Sequence, residues 1–503
     1  MSMVAFRTLK FAAILFSPAG VLKISSLDSL LPKPKSLTAT GGRYVLESSA
    51  VEVGGKGAAV SGKGAAVARG RAVEVAQALS RRLGSLTGLP AGQNPVYIGI
   101  AAADEKAAVP QLGTAEAYHL EIDGNGVSIT GNVERSLATL VQLVDCDAEG
   151  FYLPHVSIDD EPRFPWRGLM LDVARHFIGL DALYRTLEGM AFVKLNVLHL
   201  HLTDDQAFRF GSRAYPELAE GAPHYTMEDL AALVRAAAAN GIRVVPELDM
   251  PAHTTSWLIA HPEWGFGKRV APSRRFGVHQ ACLDPASDDV LRAVTTLLEE
   301  VAEVFPDDYV HFGGDEVNSA WWSEAGIEDI ENAQAAFNKK VIRILGTLGK
   351  KPVGWDEVLH ASLPAGTVVQ GWRGTASRDA VLGAGFDCIF SAPYYLDLMY
   401  PADVHYGYDP EMSAQQFAER QDAALRDPRF AHVREGIEWG SGLGRFEDAP
   451  TGGAGRILGG EACLWTELVN DELLDVRLWS RLPAIAERLW SRSEVTDSED
   501  MYR

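Results

Sequence analysis

Tyr309-Val310-His311-Phe312-Gly313-Gly314-Asp315-Glu316-Val317-Asn318 is an apolar run of strand length that stops at two glycines and then delivers two adjacent acids. The glycines let the backbone turn sharply where the strand ends. On a regular strand neighbouring side chains face opposite ways, but beyond a Gly-Gly bend both carboxylates can lean into one cleft. There, like charge and burial push their proton affinities apart, so that one stays protonated as an acid while the other stays ionised. The simpler reading is a strand followed by a helix N-terminus, where the helix dipole favours Asp and Glu. The rest of the chain decides between them.

After residue 160, short apolar strands alternate with helices, the pattern of parallel β/α units. Strands are predicted near 168–172, 193–202, 242–247, 309–313, 352–355, 367–371, 386–391 and 457–465, with clear helices at 180–190, 227–240, 288–305, 331–348 and 475–490. Eight such units predict an α/β protein built on a TIM (β/α)8 barrel, whose chemistry sits at the C-terminal ends of the strands. Upstream, apolar residues fall at helical spacing from 73 to 83, and strand-like runs occur at 96–100, 118–122 and 127–129. The last two runs read as a hairpin across Asp123-Gly124-Asn125-Gly126, and with a helix from about 133 to 144 they make a small α+β domain. The polar segment Ser157-Ile158-Asp159-Asp160-Glu161-Pro162-Arg163-Phe164-Pro165 reads as the boundary. The predicted organisation is an N-terminal segment 1–31, a small α+β domain 32–160, and a barrel 161–503 with a polar insertion at about 409–455. A short glycine-rich repeat, Gly55 to Val60 and again Gly62 to Val67, reads as a surface loop without chemistry.

At 503 residues and 47% hydrophobic, the chain can bury a large core. Its 46 basic against 67 acidic residues, a net charge of -21, leave no dominant basic patch, which argues against a nucleic-acid or membrane partner and for a neutral substrate. Cys146, Cys282, Cys388 and Cys463 are widely spaced, so neither a disulfide framework nor a zinc site is predicted and they are read as buried thiols. Arg7 and Lys10 precede an interrupted apolar run from Phe11 to Leu22, which resembles a weak signal peptide. Cleavage as a signal would place the protein in the periplasm or outside the cell, and otherwise it is cytoplasmic. Assembly as a homodimer is compatible with the sequence.

Polar and aromatic residues gather at the predicted strand ends: Asp172 to His176, His199 to Gln206, Glu247 to His253, Asp315 and Glu316, Trp355 to Glu357, Gly371 to Arg373, Tyr394 to Asp397, and Glu461 to Glu467. Flat apolar rings beside carboxylates suit a sugar, whose CH face stacks while its hydroxyls form hydrogen bonds.

As an ordered set, Asp172-Val173-Ala174-Arg175-His176, His311-Phe312-Gly313-Gly314-Asp315-Glu316, Gly371-Trp372 and Leu464-Trp465-Thr466-Glu467 resemble glycoside hydrolase family 20, the β-N-acetylhexosaminidases, over nearly the whole chain. The resemblance implies an exo-acting, retaining glycosidase whose substrate supplies its own nucleophile, the 2-acetamido oxygen. It implies Glu316 as general acid and base, Asp315 as the acceptor of the acetamido N–H, and Tyr395 as a donor to the acetamido oxygen. Trp355, Trp372 and Trp465 would wall the acetamido methyl; Arg175, Asp397 and Glu467 would hold ring hydroxyls. His253 and Asp204 match a pair that supports the acid, against the plainer reading of His253 as a core histidine. No metal or cofactor is implied.

Many relatives place a tryptophan platform for the second sugar after the Tyr-x-Asp segment, whereas Met399 to Pro410 contains none, so the aglycone preference stays open. His199-Leu200-His201, with His253, Asp204 and Asp249, also suggests a metal-dependent amidohydrolase, but that motif belongs on the first strand of such enzymes and here lies on the second. Hydrogen bonding inside the barrel is the preferred reading of both histidines. A pocket that binds N-acetylhexosamine without turnover, or one that releases a disaccharide, are the remaining alternatives.

Overall fold

A computed structural model of the chain describes residues 26–54, 65–101, 109–272, 275, 277–360, 362–431 and 452–503. The predicted leader segment up to residue 25, the repeat up to residue 64 and the insertion over 432–451 lie outside these residues. The first domain contains β1 (Ser36–Leu46), β2 (Val51–Val53), α1 (Ala65–Thr87), β3 (Val96–Ala101), β4 (Tyr118–Asp123), β5 (Gly126–Gly131), α2 (Val133–Gln142), β6 (Asp145–Asp147) and β7 (Gly150–Asp160). They form a seven-stranded sheet in the order β1-β7-β4-β5-β3-β2, with β6 paired to β7. Inward residues alternate along the strands, as Leu120 and Ile122 do on β4, and pack against Leu79 and Leu83 of α1 and Leu137, Leu140 and Val141 of α2. The Asn132 side chain caps α2 by accepting the Arg135 N–H at 3.0 Å.

Two expectations change here. The second copy of the glycine-rich repeat does not end as loop, because α1 begins within it at Ala65. The polar segment read as a boundary starts inside β7, which runs on to Asp160 in register with β1 and β4. Asp160 is a polar residue on a strand because its carboxylate is a buried acceptor for Lys194 Nζ at 2.7 Å, the Tyr118 hydroxyl at 2.7 Å and Trp490 Nε1 at 3.0 Å. Lys194 and Trp490 belong to the barrel, so this carboxylate pins the two domains together. Burial lowers the Lys194 pKa and Asp160 opposes that effect. Asp160→Ala would leave the ammonium buried without a counterion and should cost about 3–5 kcal/mol, read as a lower urea midpoint at unchanged slope. A wild-type midpoint would mean that Asp160 is not what holds Lys194.

The barrel strands are β8 (Trp166–Asp172), β9 (Val197–His201), β12 (Arg243–Glu247), β13 (Tyr309–His311), β14 (Lys351–Trp355), β15 (Val368–Gly371), β16 (Asp387–Phe390) and β17 (Ile457–Leu464), with a short ribbon β10 (Thr203–Asp204) and β11 (Ala207–Phe208) after β9. The eight close as β12-β13-β14-β15-β16-β17-β8-β9. Each contributes one residue to an apolar floor: Trp166, Val197, Val245, Tyr309, Val353, Val368, Ile389 and Leu458. Two positions further along the strands, the inward residues become His199, Glu247, His311, Trp355 and Gln370, so the period of two sets a polar layer on the floor. The site is built above that layer.

Around the barrel lie α3 (Leu180–Phe192), α4 (Met227–Ala239), α5 (Asp288–Val304), α6 (Ile330–Thr347), α7 (Thr375–Gly383), α8 (Ala414–Arg426), α9 (Asp471–Trp479) and α10 (Leu482–Trp490). The sequence predicts one helix over 475–490; the chain breaks it at Ser480 and Arg481, and Pro483 occupies the first turn of α10, where no N–H is needed. The four cysteines are free, and Cys146, on the outer strand β6, is half-buried instead of buried. Among the described residues no helix is long and apolar enough to cross a membrane.

Candidate active site

The exit of β13 takes the Gly-Gly turn that the sequence predicts. Gly313 and Gly314 have φ of 71° and 93°, and Glu316 follows at 50°, a region side chains rarely enter. The glycines are also sterically required: a Cβ on Gly313 would lie 1.6 Å from Asp249 Oδ1, and one on Gly314 would lie 2.5 Å from Val358 Cγ1. The result is that both Asp315 and Glu316 face one cavity of about 450 Å³. Every residue to which the family resemblance gives a role lines that cavity: Arg175, Asp204, His253, Asp315, Glu316, Trp355, Trp372, Tyr395, Asp397, Trp465 and Glu467.

One wall is polar. Asp172, fully buried, ties the exits of the first and last barrel strands by accepting from Arg175 N at 3.1 Å and Thr466 N at 3.0 Å. Arg175 then extends over the Trp465 ring and binds Asp204 at 2.8 Å and Gln206 at 3.1 Å. Asp204 also meets His201 Nε2 at 2.9 Å and lies 3.4 Å from His253 Nδ1. On its other side His253 Nε2 lies 3.3 Å from Glu316 and 3.7 Å from Asp315. Burial pulls the His253 imidazole down, but Asp204, helped by Asp205 and Glu316, outweighs it and holds the pKa well above the usual value. Glu316 therefore faces a cation.

The opposite wall is aromatic. Trp355 is fixed by its N–H to Glu247 at 2.9 Å and lies 5.8 Å, centre to centre, from Trp465. Trp372 is held twice: its backbone N–H binds Asp356 at 3.0 Å and its ring N–H binds Glu357 at 2.9 Å. Tyr395 bridges to Cys463 beside Trp465, which brings the exits of β16 and β17 together. Among the described residues, Oδ1 of Asp315 and Oδ1 of Asp397 are buried acceptors without a hydrogen-bond partner, a cost that a bound ligand's donors would relieve.

The carboxyl pushed well above its ordinary value is Asp315, through burial and then the neighbouring Asp249. The sequence reading reserves a raised pKa for the general acid, Glu316. Asp249 is itself pushed up to about 8, chiefly by burial. Burial and Glu467 bring Asp397 up to about 7.

Sequence reasoning gave no role to Asp205 or Glu357, and placed Asp249 only in the amidohydrolase alternative. Asp205 accepts from Thr255 N at 3.0 Å and lies 3.3 Å from His253, so two acids, not one, orient the imidazole. Glu357 clamps Trp372, and Asp249 accepts from Gly314 N at 3.3 Å beside Asp315 and Glu316. The Asp-Asp and Asp-Glu doublets at strand exits were the available signal, but which member faces the site is set by the turn. Below the cavity, His199 lies 2.8 Å from Glu461 and 3.0 Å from Glu247, and His311 lies 3.0 Å from Glu247. His199, Glu247 and His311 are close enough to share an ion, yet each already has a partner in this network. Burial lowers the His199 pKa and the two glutamates overcome it, raising it to about 9. Proton sharing with carboxylates accounts for the His-x-His pattern, in line with the preferred reading.

Comparison with known proteins agrees with this architecture. The family model "Glycosyl hydrolase family 20, catalytic domain" matches residues 164–493, and "Glycosyl hydrolase family 20, domain 2" matches 28–161. The β-hexosaminidase subunit beta of Entamoeba histolytica is 33% identical over 421 residues, covering 77% of this chain and 71% of that protein. The crystal structure of a Flavobacterium johnsoniae chitobiase superposes with a TM-score of 0.76 at 31% identity, covering 94% of this chain and 71% of that one. A mutant Streptomyces plicatus β-hexosaminidase solved with its product GlcNAc superposes with a TM-score of 0.73 at 26% identity, covering 97% of this chain and 94% of that one. With two thirds of its length matched by the catalytic-domain model and a barrel that gathers Asp315, Glu316, three indole rings, Arg175, Asp397 and Glu467 at one end, the chain belongs to glycosyl hydrolase family 20.

Proposed function

We propose that the protein is an exo-acting, retaining β-N-acetylhexosaminidase that removes terminal N-acetylglucosamine or N-acetylgalactosamine with the help of the sugar's own acetamido group. The observation that carries this reading is the convergence, in one cavity, of Asp315 and Glu316 with Tyr395, three indole rings and Arg175, Asp397 and Glu467. A related chitobiase and a related β-hexosaminidase holding GlcNAc point to the same substrate class.

In this reading the acetamido oxygen attacks C1 while the bond to the aglycone breaks. Glu316 gives its proton to the departing oxygen, and a bicyclic oxazolinium forms with inverted configuration at C1. Glu316, now a carboxylate, takes a proton from water as that water adds to C1 and reopens the ring, inverting C1 again. The net result is retention. Asp315 accepts the acetamido N–H and faces the positive charge that develops there, and Tyr395 donates to the oxygen before attack. Trp355, Trp372 and Trp465 exclude water and hold the acetamido group in the attacking geometry, with Glu357 fixing the ring of Trp372. Arg175, Asp397 and Glu467 close the far end on the hydroxyls of one terminal sugar, which makes the action exo.

Hydrolysis of 4-nitrophenyl N-acetyl-β-D-glucosaminide beside 4-nitrophenyl β-D-glucoside, with and without a thiazoline analogue of the intermediate, tests this. Turnover of the acetamido sugar alone, blocked by the thiazoline, is expected. Turnover of both sugars would assign the nucleophile to an enzyme carboxylate, and turnover of neither would return the protein to the binding or disaccharide-releasing readings.

A further inference from the structure

Neither histidine of His199-Leu200-His201 lines the cavity, but His201 touches Asp204, which does. Along β9 the side chains of Val197, His199 and His201 step up the barrel by the period of two, from the apolar floor through the polar layer to a place beside Asp204 and the Trp465 ring. His201 is fully buried, and both its ring nitrogens end on buried carboxylates, Nδ1 on Glu247 at 2.5 Å and Nε2 on Asp204 at 2.9 Å. Burial pulls the His201 imidazole down and pushes the Asp204 carboxyl up. Glu247 and Asp204 outweigh the first effect, and Arg175 and His253 outweigh the second, so His201 stays a cation and Asp204 an anion. The two differ in how firmly the backbone holds them. β9 is paired on both sides, with His201 opposite Asp172 of β8 and Glu247 of β12, whereas Asp204 lies past the strand exit on the short ribbon of β10 and β11.

The ribbon carboxylate serves two parts of the site at once. Its Oδ2 binds Arg175 at 2.8 Å, and its Oδ1 lies 3.4 Å from His253 Nδ1, while His253 Nε2 lies 3.3 Å from Glu316. Acid and imidazole thus alternate from Glu247 through His201, Asp204 and His253 to Glu316. We propose that His201 is a positioning residue for the general acid: held by Glu247 on the rigid barrel wall, it locks Asp204 where Asp204 orients His253 against Glu316. The proposal rests on the hexosaminidase reading, in which Glu316 protonates the leaving oxygen. It gives the second histidine of the buried His-x-His motif a part in the reaction without a metal.

The test is kcat/KM in wild type, His201→Asn and His201→Gln for two substrates: N,N′-diacetylchitobiose, whose leaving oxygen needs a proton, and 4-nitrophenyl N-acetyl-β-D-glucosaminide, whose phenolate does not. Both amides lack the charge. An Asn N–H reaches the place of Nδ1 and keeps only the bond to Glu247, whereas a Gln N–H reaches the place of Nε2 and keeps the bond to Asp204. His201→Asn should lower kcat/KM on chitobiose by roughly ten- to a hundredfold, the cost of a misplaced catalytic group, and on the 4-nitrophenyl glycoside by less. Any loosening of Arg175 affects both substrates alike, so the excess loss on chitobiose reports the acid. His201→Gln should recover most of that excess, and His201→Asn added to Glu316→Gln should show none of it, because no proton is left to position. Equal losses on the two substrates, a Gln variant no better than Asn, or an excess that persists without Glu316 would each make His201 a structural residue only and overturn the proposal. So would wild-type rates in the Asn variant. If His201→Asn does not fold, Glu247→Gln replaces it, since it leaves both rings of the motif in place and still offers Trp355 an acceptor. The same excess is expected there, and its absence overturns the proposal. Absence of turnover of both substrates by the wild type would instead overturn the hexosaminidase reading itself.

Discussion

Glu316→Gln should lower the turnover of a substrate with a poor leaving group, such as chitobiose, by roughly two to four orders of magnitude, the usual worth of a positioned general acid. Gln keeps the size and one acceptor of Glu, so the turn at Gly313 and Gly314 and the approach to His253 are retained. What is lost is the proton. The loss should be smaller in the first step for a 4-nitrophenyl glycoside, whose phenolate leaves without protonation, than for an alkyl glycoside. Hydrolysis of the intermediate still needs a base, so a burst of 4-nitrophenol followed by slow turnover is expected. Equal losses with both leaving groups would argue that Glu316 orients the substrate without transferring a proton, and turnover near wild type would remove it from the mechanism.

How much of this was legible in the sequence depends on the range of the forces that set each feature. The barrel strands were readable because each is a short apolar run ended by polar residues, and Tyr309–His311 followed by two glycines is the clearest case. The site was readable because the barrel brings strand ends together, so that order along the chain predicts proximity. The end of β7 was not, since its Asp160 satisfies Lys194 and Trp490, whose approach only the folded domains create. The same holds for Glu357, which gains its role by meeting a ring from the next strand, and for Asp205, where a doublet on a ribbon leaves the choice of inward residue to the turn. The raised proton affinity of Asp315 was the least accessible. It comes from burial in the assembled barrel and then from Asp249, a carboxyl on the neighbouring strand exit that occupies the space only a glycine at 313 leaves open.

That third carboxyl leads to the second large effect. Burial, Asp249 and Glu316 push the Asp315 carboxyl up, and His253 only partly opposes them. The reaction needs the ionised form, because a carboxylate accepts the acetamido N–H and stabilises the oxazolinium charge. A raised acid is protonated below its pKa and ionised above it. Wild-type kcat/KM should therefore rise with pH through an acid limb well above the ordinary range of an aspartate, since kcat/KM reports the free enzyme. Once substrate is bound, the developing positive charge favours ionisation, so the corresponding limb in kcat should lie at lower pH. Asp315→Asn removes the titration and presents an amide where the charge is needed; kcat should fall by roughly two to three orders of magnitude, and the acid limb should lose its Asp315 component. Asp249→Asn, which takes away the neighbouring carboxyl but leaves Asp315 in place, should instead lower whatever part of the limb lies above about pH 8, because only there is Asp249 ionised and opposing the ionisation of Asp315. An Asp315→Asn enzyme with the wild-type rate and an unmoved acid limb would show that another group titrates there and that the acetamido N–H is received elsewhere.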